Sequence, residues 1–284
     1  NTGARMRFQV GCELAYEADG PASFVMNVEA QQLPRQRILS ERLVVSPEVA
    51  VERYTAPESG NRYLRFAVDG GPVRVRYAAE VELDPLRGDP ASIDETPVGR
   101  LPFATMPHLW PSRYSQSDRL LRAARADFGH LGDGHQRVTA LANWIHDHLE
   151  YERGSSDEHT SAVDTLVERA GVCRDFANLG IALCRALGIP ARFASAYAWR
   201  LDPPDFHAVF EAWLDGRWYL FDATRQAALD GLVRIGVGRD ASDVGFCTWD
   251  GEVKAGPMKV WNEPSPGQYV PRELTVDAIS LSDS

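Results

Sequence analysis

The chain has 284 residues, of which 44% are hydrophobic and 25% are charged, and its formal net charge is -10. A chain of this length and composition can bury the core of one large domain or of two smaller ones. The negative charge argues against nucleic acid and against an anionic membrane as the main partner.

The four cysteines, Cys12, Cys173, Cys184 and Cys247, form neither a CxxC pair nor a metal-ligand pattern. We therefore expect no disulfide scaffold, no metal ion and no cofactor. Residues 1–20 contain no apolar core followed by a small-residue cleavage site, and the apolar runs of the chain are shorter than a membrane span. These features predict a cytoplasmic protein with reduced thiols.

The first third of the chain has the pattern of β-structure. In the segment VRVRYAAEVEL, residues 73–83, apolar residues alternate with charged or small ones, which predicts a half-buried strand. Residues 84–102 are rich in Pro, Gly and Asp and favour neither helix nor strand. The prediction is a β-rich N-terminal domain over residues 1–105 and a second domain over residues 106–284 that includes a C-terminal extension.

The second domain begins with helical periodicity. Helices are predicted over residues 117–128, over the segment QRVTALANWIHDHLEY at 136–151, and over 161–170. A fourth helix follows the turn GVC, with Phe176, Leu179, Leu183 and Leu187 at helical spacing. Gly188 is suited to the C-terminal cap of this helix, so Cys173 falls in its first turn.

Three predicted strands follow the fourth helix, at residues 191–199, 207–214 and 217–224. Between the last two strands, the dipeptide Asp215-Gly216 is a two-residue hairpin signal. The order of elements predicts an α+β fold: a β-sandwich-like N-terminal domain, then helices packed on an antiparallel sheet.

The hairpin fixes a register that can be worked out from the sequence. A two-residue turn sets Leu214 opposite Arg217, so that His207 lies opposite Thr224. Asp222 is then the diagonal neighbour of His207 on the same face, about 7–8 Å away at Cα. The sequence therefore predicts an imidazole beside a carboxylate.

Cys173 is the residue that connects this pair to a reaction. A thiol at a helix N-terminus is stabilised as thiolate by the helix dipole and by unpaired N–H groups. A cysteine, a histidine and an aspartate together supply a nucleophile, a proton carrier and an orienting group. Taken alone, a cysteine at this position is more commonly a small buried hydrophobe, which is also our reading of Cys12, Cys184 and Cys247.

Residues 135–225 resemble the core of the transglutaminase-like superfamily of thiol enzymes. The resemblance rests on AGVCRDFANLGIALCRALGIPARFASAY and FHAVFEAWLDGRWYLFDAT. It implies a papain-like core with Cys173, His207 and Asp222 as a catalytic triad. The flanking segments 111–120 and 238–246 are similar to those of bacterial members with an N-terminal β domain. Val209 departs from the family pattern, in which many relatives have a tryptophan.

The resemblance implies a cysteine protease or amidase that forms a thioester on Cys173. Hydrolysis is favoured over transfer to an amine, because water needs no acceptor site. The substrate would be a peptide or protein, and the sequence does not indicate an oligomeric state. The alternative is a catalytically silent module of the same fold that binds a peptide or protein partner.

Three further residues are candidates for lining the cleft. Tyr114 is a candidate second donor to the oxyanion, beside the backbone N–H groups at the start of the helix. Asp175 lines the site or simply complements the helix dipole. Asp240 borders the cleft or caps a turn.

Overall fold

The computed structural model describes residues 5–268, 270 and 274–283. The first part of the chain is built from β-strands, as predicted. They are β1 (Met6–Ala18), β2 (Ala22–Met26), β3 (Gln36–Ser46), β4 (Glu52–Thr55), β5 (Arg62–Val68), β6 (Gly71–Leu83) and β7 (Leu86–Gly88). In β6 every second residue from Val73 to Leu83 is buried, so the predicted alternation is confirmed.

The helical region and a second set of strands follow. The helices are α1 (Ser117–Phe128), α2 (Gly134–His148), α3 (Ala162–Glu168) and α4 (Cys173–Ala186), and short 3-10 helices lie at Pro90–Ser92, Val98–Arg100, Phe103–His108, Leu229–Gly231 and Ala241–Asp243. The strands are β8 (Glu150–Tyr151), β9 (Ala170–Gly171), β10 (Ala191–Ala198), β11 (Phe206–Leu214), β12 (Arg217–Phe221) and β13 (Leu232–Gly238). Within the described ranges, no helix is both long and apolar enough to cross a bilayer.

The C-terminal part of the chain returns to the N-terminal sheets. Its strands are β14 (Cys247–Asp250), β15 (Val253–Pro264) and β16 (Ala278–Ser280). The two N-terminal sheets have the orders β15-β1-β6-β3 and β14-β2-β5-β4, and β16 pairs with β7. The second domain is predicted over residues 106–284. Its C-terminal strands β14, β15 and β16 therefore pair with strands of the first domain.

The amino-acid pattern of β15 explains why the sequence did not reveal this return. The strand is paired with β1 at the edge of a sheet, and most of its side chains are exposed. Only Val260 and Asn262 are buried along its length, and Gly256 and Pro257 interrupt it. Without an apolar face, such a strand shows no period-two alternation.

The sheet β12-β11-β10-β13 is the central layer of the molecule. On one face, Ala208 and Phe210 of β11 belong to a core shared with the four helices. On the other face, Val209 and Leu220 join the core of the N-terminal sheets. The central sheet is thus covered by helices on one side, as predicted, and by the N-terminal β-structure on the other.

A buried ion cluster lies where the central sheet meets the N-terminal region. The Glu211 carboxylate accepts hydrogen bonds at 2.6 Å from both Arg192 and Arg234. Arg234 also donates to the side-chain oxygen of Gln31 at 2.6 Å, and its backbone bonds the side chain of Gln36. These bonds connect the two regions through largely buried groups: the Glu211 side chain is fully buried, and the Arg234 and Arg192 side chains are 5% and 12% exposed.

Substitution of Glu211 tests this junction. We expect Glu211→Ala to lower the free energy of unfolding by about 3–5 kcal/mol, because two buried guanidinium groups lose their counter-charge. Chemical denaturation gives this value. The control is Glu13→Ala, which breaks the exposed ion pair with Arg76 and is expected to cost about 1 kcal/mol or less. Equal effects of the two substitutions would contradict the assigned role.

Candidate active site

Cys173 is the first residue of α4, and the turn before it is held by the helix itself. Val172 has extended backbone, and its N–H donates to the Asp175 carboxylate at 2.9 Å. A Cβ at Gly171 would come within 2.8 Å of the Asp175 Cβ, so this position requires glycine. The turn GVC therefore presents the cysteine at the helix N-terminus, beside the N–H groups of the first helical turn.

His207 and Asp222 meet across the hairpin of β11 and β12. The register places Leu214 opposite Arg217 and Phe210 opposite Phe221, as the two-residue turn predicts. The His207 Nε2 lies 2.9 Å from the Asp222 Oδ2, and both side chains are almost fully buried. The predicted contact of imidazole and carboxylate is confirmed.

The Asp222 carboxylate is fixed by more than the histidine. Its Oδ1 accepts hydrogen bonds from the backbone N–H and the hydroxyl of Thr224, at 2.9 and 2.7 Å. Its Oδ2 also accepts from the N–H of Ala227 at 3.1 Å. With these bonds the buried charge is compensated and the carboxylate has one orientation.

The contact between His207 and Asp222 raises the pKa of the imidazole and lowers the pKa of the carboxylate. Burial alone would lower the pKa of His207, but the charge and hydrogen bond of Asp222, together with contacts to the Cys173 thiol, raise it to about 10. Burial acts to raise the pKa of Asp222, yet the charge and hydrogen bond of His207 and the bonds from Thr224 hold it below its ordinary value. The imidazolium and the carboxylate are therefore the forms present at neutral pH.

The signs of these shifts determine how the pair stabilises the fold. Because the pKa of His207 is raised from 6.5 to about 10, its contribution to folding is complete below about pH 6.5 and is lost as the pH rises through about 10. Because the pKa of Asp222 is lowered from 3.8, its contribution is present above about pH 4 and is lost as the pH falls.

The second ring nitrogen of His207 is available to the thiol. Nδ1 is buried and forms no hydrogen bond with any described residue. The Cys173 thiol, however, is close enough to the ring for its hydrogen bond and charge to raise the histidine pKa. Asp222 therefore occupies Nε2, and Nδ1 is the ring nitrogen that remains for the nearby Cys173 thiol.

A cavity of about 430 Å³ opens onto Cys173. Its apolar lining includes Leu201, Pro203 and Phe206. Its charged lining residues include Arg153 and Asp205, whose nearest side-chain nitrogen and oxygen are 3.9 Å apart. This volume and mixed lining are typical of a site that binds part of a larger, amphipathic ligand.

Asp175 supports the helix start and does not face this cavity. Its side chain is fully buried and accepts hydrogen bonds from Val172 N–H, from the Ser156 hydroxyl and from the Arg174 guanidinium. These bonds fasten the loop at Ser156 to the first turn of α4. Of the two predicted readings, the structure matches the local, structural one.

Tyr114 and Asp240 lie together at another side of α4. The Tyr114 hydroxyl donates to the carbonyl of Glu158, and its backbone N–H donates to Asp240 at 2.7 Å. Asp240 is buried and also accepts from the N–H and hydroxyl of Ser242. Neither residue is among the described residues that line the cavity. The interpretation of Tyr114 as an oxyanion donor is corrected, because its hydroxyl proton is used elsewhere.

Tyr151 is a site residue that the sequence analysis did not identify. It lines the cavity, and its hydroxyl lies within reach of the Cys173 thiol. Tyr151 reaches this position through the two-residue parallel pairing of β8 with β9, in which it lies opposite Gly171. A pairing this short leaves no periodic signal in the sequence.

The other cysteines are in the apolar core or at its margin. Cys12 and Cys184 are fully buried, and burial raises the pKa of both thiols. Cys247 is half-buried against the core of the N-terminal sheets. Val209, where many relatives have tryptophan, is buried in the same core. The packing role predicted for the three cysteines agrees with their positions.

Two family models match the chain in succession. Residues 122–223 match the transglutaminase-like superfamily, and residues 6–102 match the N-terminal domain of bacterial transglutaminases. The first match contains Cys173, His207 and Asp222.

Comparison with solved structures finds a close relative. A candidate cysteine protease from Cytophaga hutchinsonii has 38% sequence identity and a TM-score of 0.93, and the alignment covers 99% of this chain and 99% of that one. The fold described above is thus shared over nearly all of both chains.

Curated relatives match over a shorter range. An uncharacterised protein of Mycobacterium leprae is 31% identical over 148 residues, which is 48% of this chain and 52% of that protein. An uncharacterised protein of Mycobacterium tuberculosis is 35% identical over 120 residues, which is 37% of this chain and 38% of that protein. The aligned part of the chain thus spans about half or less of the length of these relatives.

The raised pKa of His207 can be tested with Asp222→Asn. The substitution removes the carboxylate charge that holds the imidazolium, so we expect the pKa of His207 to fall from about 10 toward the ordinary value of about 6.5. The titration of the His207 ring by NMR measures this shift. An unchanged titration would show that Asp222 does not set the charge of the histidine. Asp243→Asn, which affects an exposed ion pair with Arg239, is the control and should not alter it.

Proposed function

Because this chain belongs to the transglutaminase-like superfamily, we propose that it is a thiol enzyme that cleaves amide or peptide bonds through an acyl-enzyme on Cys173. One observation carries the proposal: a cysteine at a helix N-terminus opens onto a cavity and lies beside an imidazole that bonds a buried carboxylate at 2.9 Å. This arrangement supplies a nucleophile, an acid and an orienting group in one place.

The reaction would begin with attack of the Cys173 thiolate on the substrate carbonyl carbon. The carbonyl π electrons move to oxygen, and the resulting oxyanion lies near the N–H groups at the start of α4. His207 then gives its Nδ1 proton to the departing amine as the carbon–nitrogen bond breaks. Asp222 keeps Nε2 protonated and the ring in place throughout, and a thioester remains on Cys173.

Deacylation decides between a hydrolase and a transferase. In hydrolysis, His207 takes a proton from water, and the oxygen of that water attacks the thioester carbonyl and expels the thiolate. We favour water over an amine, because hydrolysis needs no second binding site and because the relative from Cytophaga hutchinsonii is a candidate protease. The substrate is accordingly a peptide or protein, held in part by the cavity at Cys173.

The reactivity of Cys173 toward iodoacetamide tests the proposed nucleophile. We expect Cys173 to be alkylated at pH 6, because the helix N-terminus and the His207 imidazolium stabilise its thiolate. His207→Ala should slow this alkylation by at least tenfold. Peptide mass spectrometry gives the alkylation rate of each cysteine in the same sample.

Cys12 and Cys184 are internal controls, because both are buried and should remain unmodified in the folded protein. If Cys173 is as inert as these two in the wild type, the enzyme assignment fails and the alternative, a module that binds a peptide partner, becomes the better account. A rate that does not depend on His207 would remove the histidine from the mechanism.

The preference for water can be tested with a peptide mixture incubated with and without a primary amine. We expect new peptide N-termini without added amine, and no gain of amine mass on the products when amine is present. Cys173→Ala should abolish the cleavage. Products that carry the amine, with little cleavage in its absence, would identify a transferase.

A further inference from the structure

Two tyrosines lie near the start of α4, and their hydroxyl groups are used differently. The Tyr114 hydroxyl donates to the Glu158 carbonyl. The Tyr151 hydroxyl, in contrast, approaches the thiol and the backbone N–H of Cys173, and no other described residue bonds it. Tyr151 also lines the cavity at Cys173, with about a third of its surface exposed. Its O–H is therefore free to donate to a ligand in that cavity.

The backbone holds Tyr151 in a fixed position relative to the nucleophile. The parallel pairing sets Tyr151 opposite Gly171, and the N–H of Glu152 donates to the Gly171 carbonyl at 3.0 Å. The phenol ring packs against Phe176 of α4, with ring centroids 5.9 Å apart. The position of Tyr151 is thus fixed by contacts with the same turn and the same helix that present Cys173.

A second donor lies at the same place. In the first turn of α4, Val172 N–H donates to Asp175, and the N–H groups of Asp175 and Phe176 donate to the Val172 carbonyl. The N–H of Cys173, which the helix itself leaves unpaired, is directed to the Tyr151 hydroxyl oxygen. The Cys173 N–H and the Tyr151 O–H therefore converge beside the sulfur. Burial and the nearby Cys173 raise the pKa of Tyr151 to about 12, so the phenol keeps its proton.

We propose that Tyr151 is a catalytic residue that donates the second hydrogen bond to the oxyanion of the tetrahedral intermediate. This assignment rests on the proposed function. When the sulfur–carbon bond forms, the carbonyl oxygen receives the π electrons and accepts hydrogen bonds from Cys173 N–H and Tyr151 O–H. Both donors keep their protons, and both bonds weaken again when the carbonyl re-forms and the leaving group departs.

Two reagents that attack the same thiol separate this role from a general effect on Cys173. p-Nitrophenyl acetate acylates the thiol through an oxyanion, whereas iodoacetamide alkylates it at a saturated carbon without one. We expect Tyr151→Phe to slow acetylation of Cys173 about 100-fold and to change the alkylation rate by less than about twofold. Nitrophenolate release, corrected for the rate of Cys173→Ala, and peptide mass spectrometry give the two rates.

Tyr114→Phe is the matched control and should leave both rates within about twofold, because its hydroxyl serves Glu158. Tyr151→Gln supplies an N–H donor on a shorter side chain and should recover part of the acetylation rate lost in Tyr151→Phe. Thermal melting identifies a variant that does not fold.

The outcomes distinguish the two proposals. Equal losses of both rates in folded Tyr151→Phe, or no loss of either, would overturn the assignment of Tyr151 while leaving Cys173 as the nucleophile. A wild-type Cys173 that reacts with neither reagent would instead refute the proposed function, and the role of Tyr151 with it.

Discussion

The hydrogen bond between His207 and Asp222 organises the chemistry of this protein. A carboxylate without access to water is costly unless donors compensate its charge, and here Thr224 and Ala227 share that task with the histidine. Because Nε2 is occupied by the carboxylate, only Nδ1 remains to face Cys173. The same contact raises the pKa of the imidazole, so the ring can hold a proton until a leaving group needs it. Orientation and charge thus follow from one bond.

This bond depends on a sheet that is covered on both faces. The helices hold one face through Phe210 and its neighbours, and the N-terminal sheets hold the other through Val209 and Leu220. At the margin of that second interface, Glu211 binds two arginines only four residues from His207 along the same strand. The N-terminal region is therefore part of the support of the site. Strands β14 and β15, from the C-terminal part of the chain, belong to the N-terminal sheets and so contribute to the same support.

Local patterns in the sequence were sufficient for the parts of the site that lie within one hairpin or one helix. The turn at Asp215 and Gly216 determines the register that joins His207 to Asp222, and the apolar spacing after Cys173 determines where α4 begins. Contacts between distant segments were not accessible in this way. Strand β15 is an edge strand with few buried residues, and Tyr151 reaches Cys173 through a pairing of two residues. For Tyr114 the residue type suited a donor, but only the structure shows that its hydroxyl binds Glu158.

In the proposed reaction, Cys173 becomes acylated with the help of His207 and Asp222. The most direct measurement is peptide mapping of the protein after brief reaction with p-nitrophenyl acetate and an acid quench, which preserves thioesters. We expect an acetyl group on Cys173 in the wild type and a strongly reduced amount in His207→Ala and in Asp222→Asn. Acetylation at other residues with none on Cys173, or equal labelling of Cys173 in all three proteins, would contradict it.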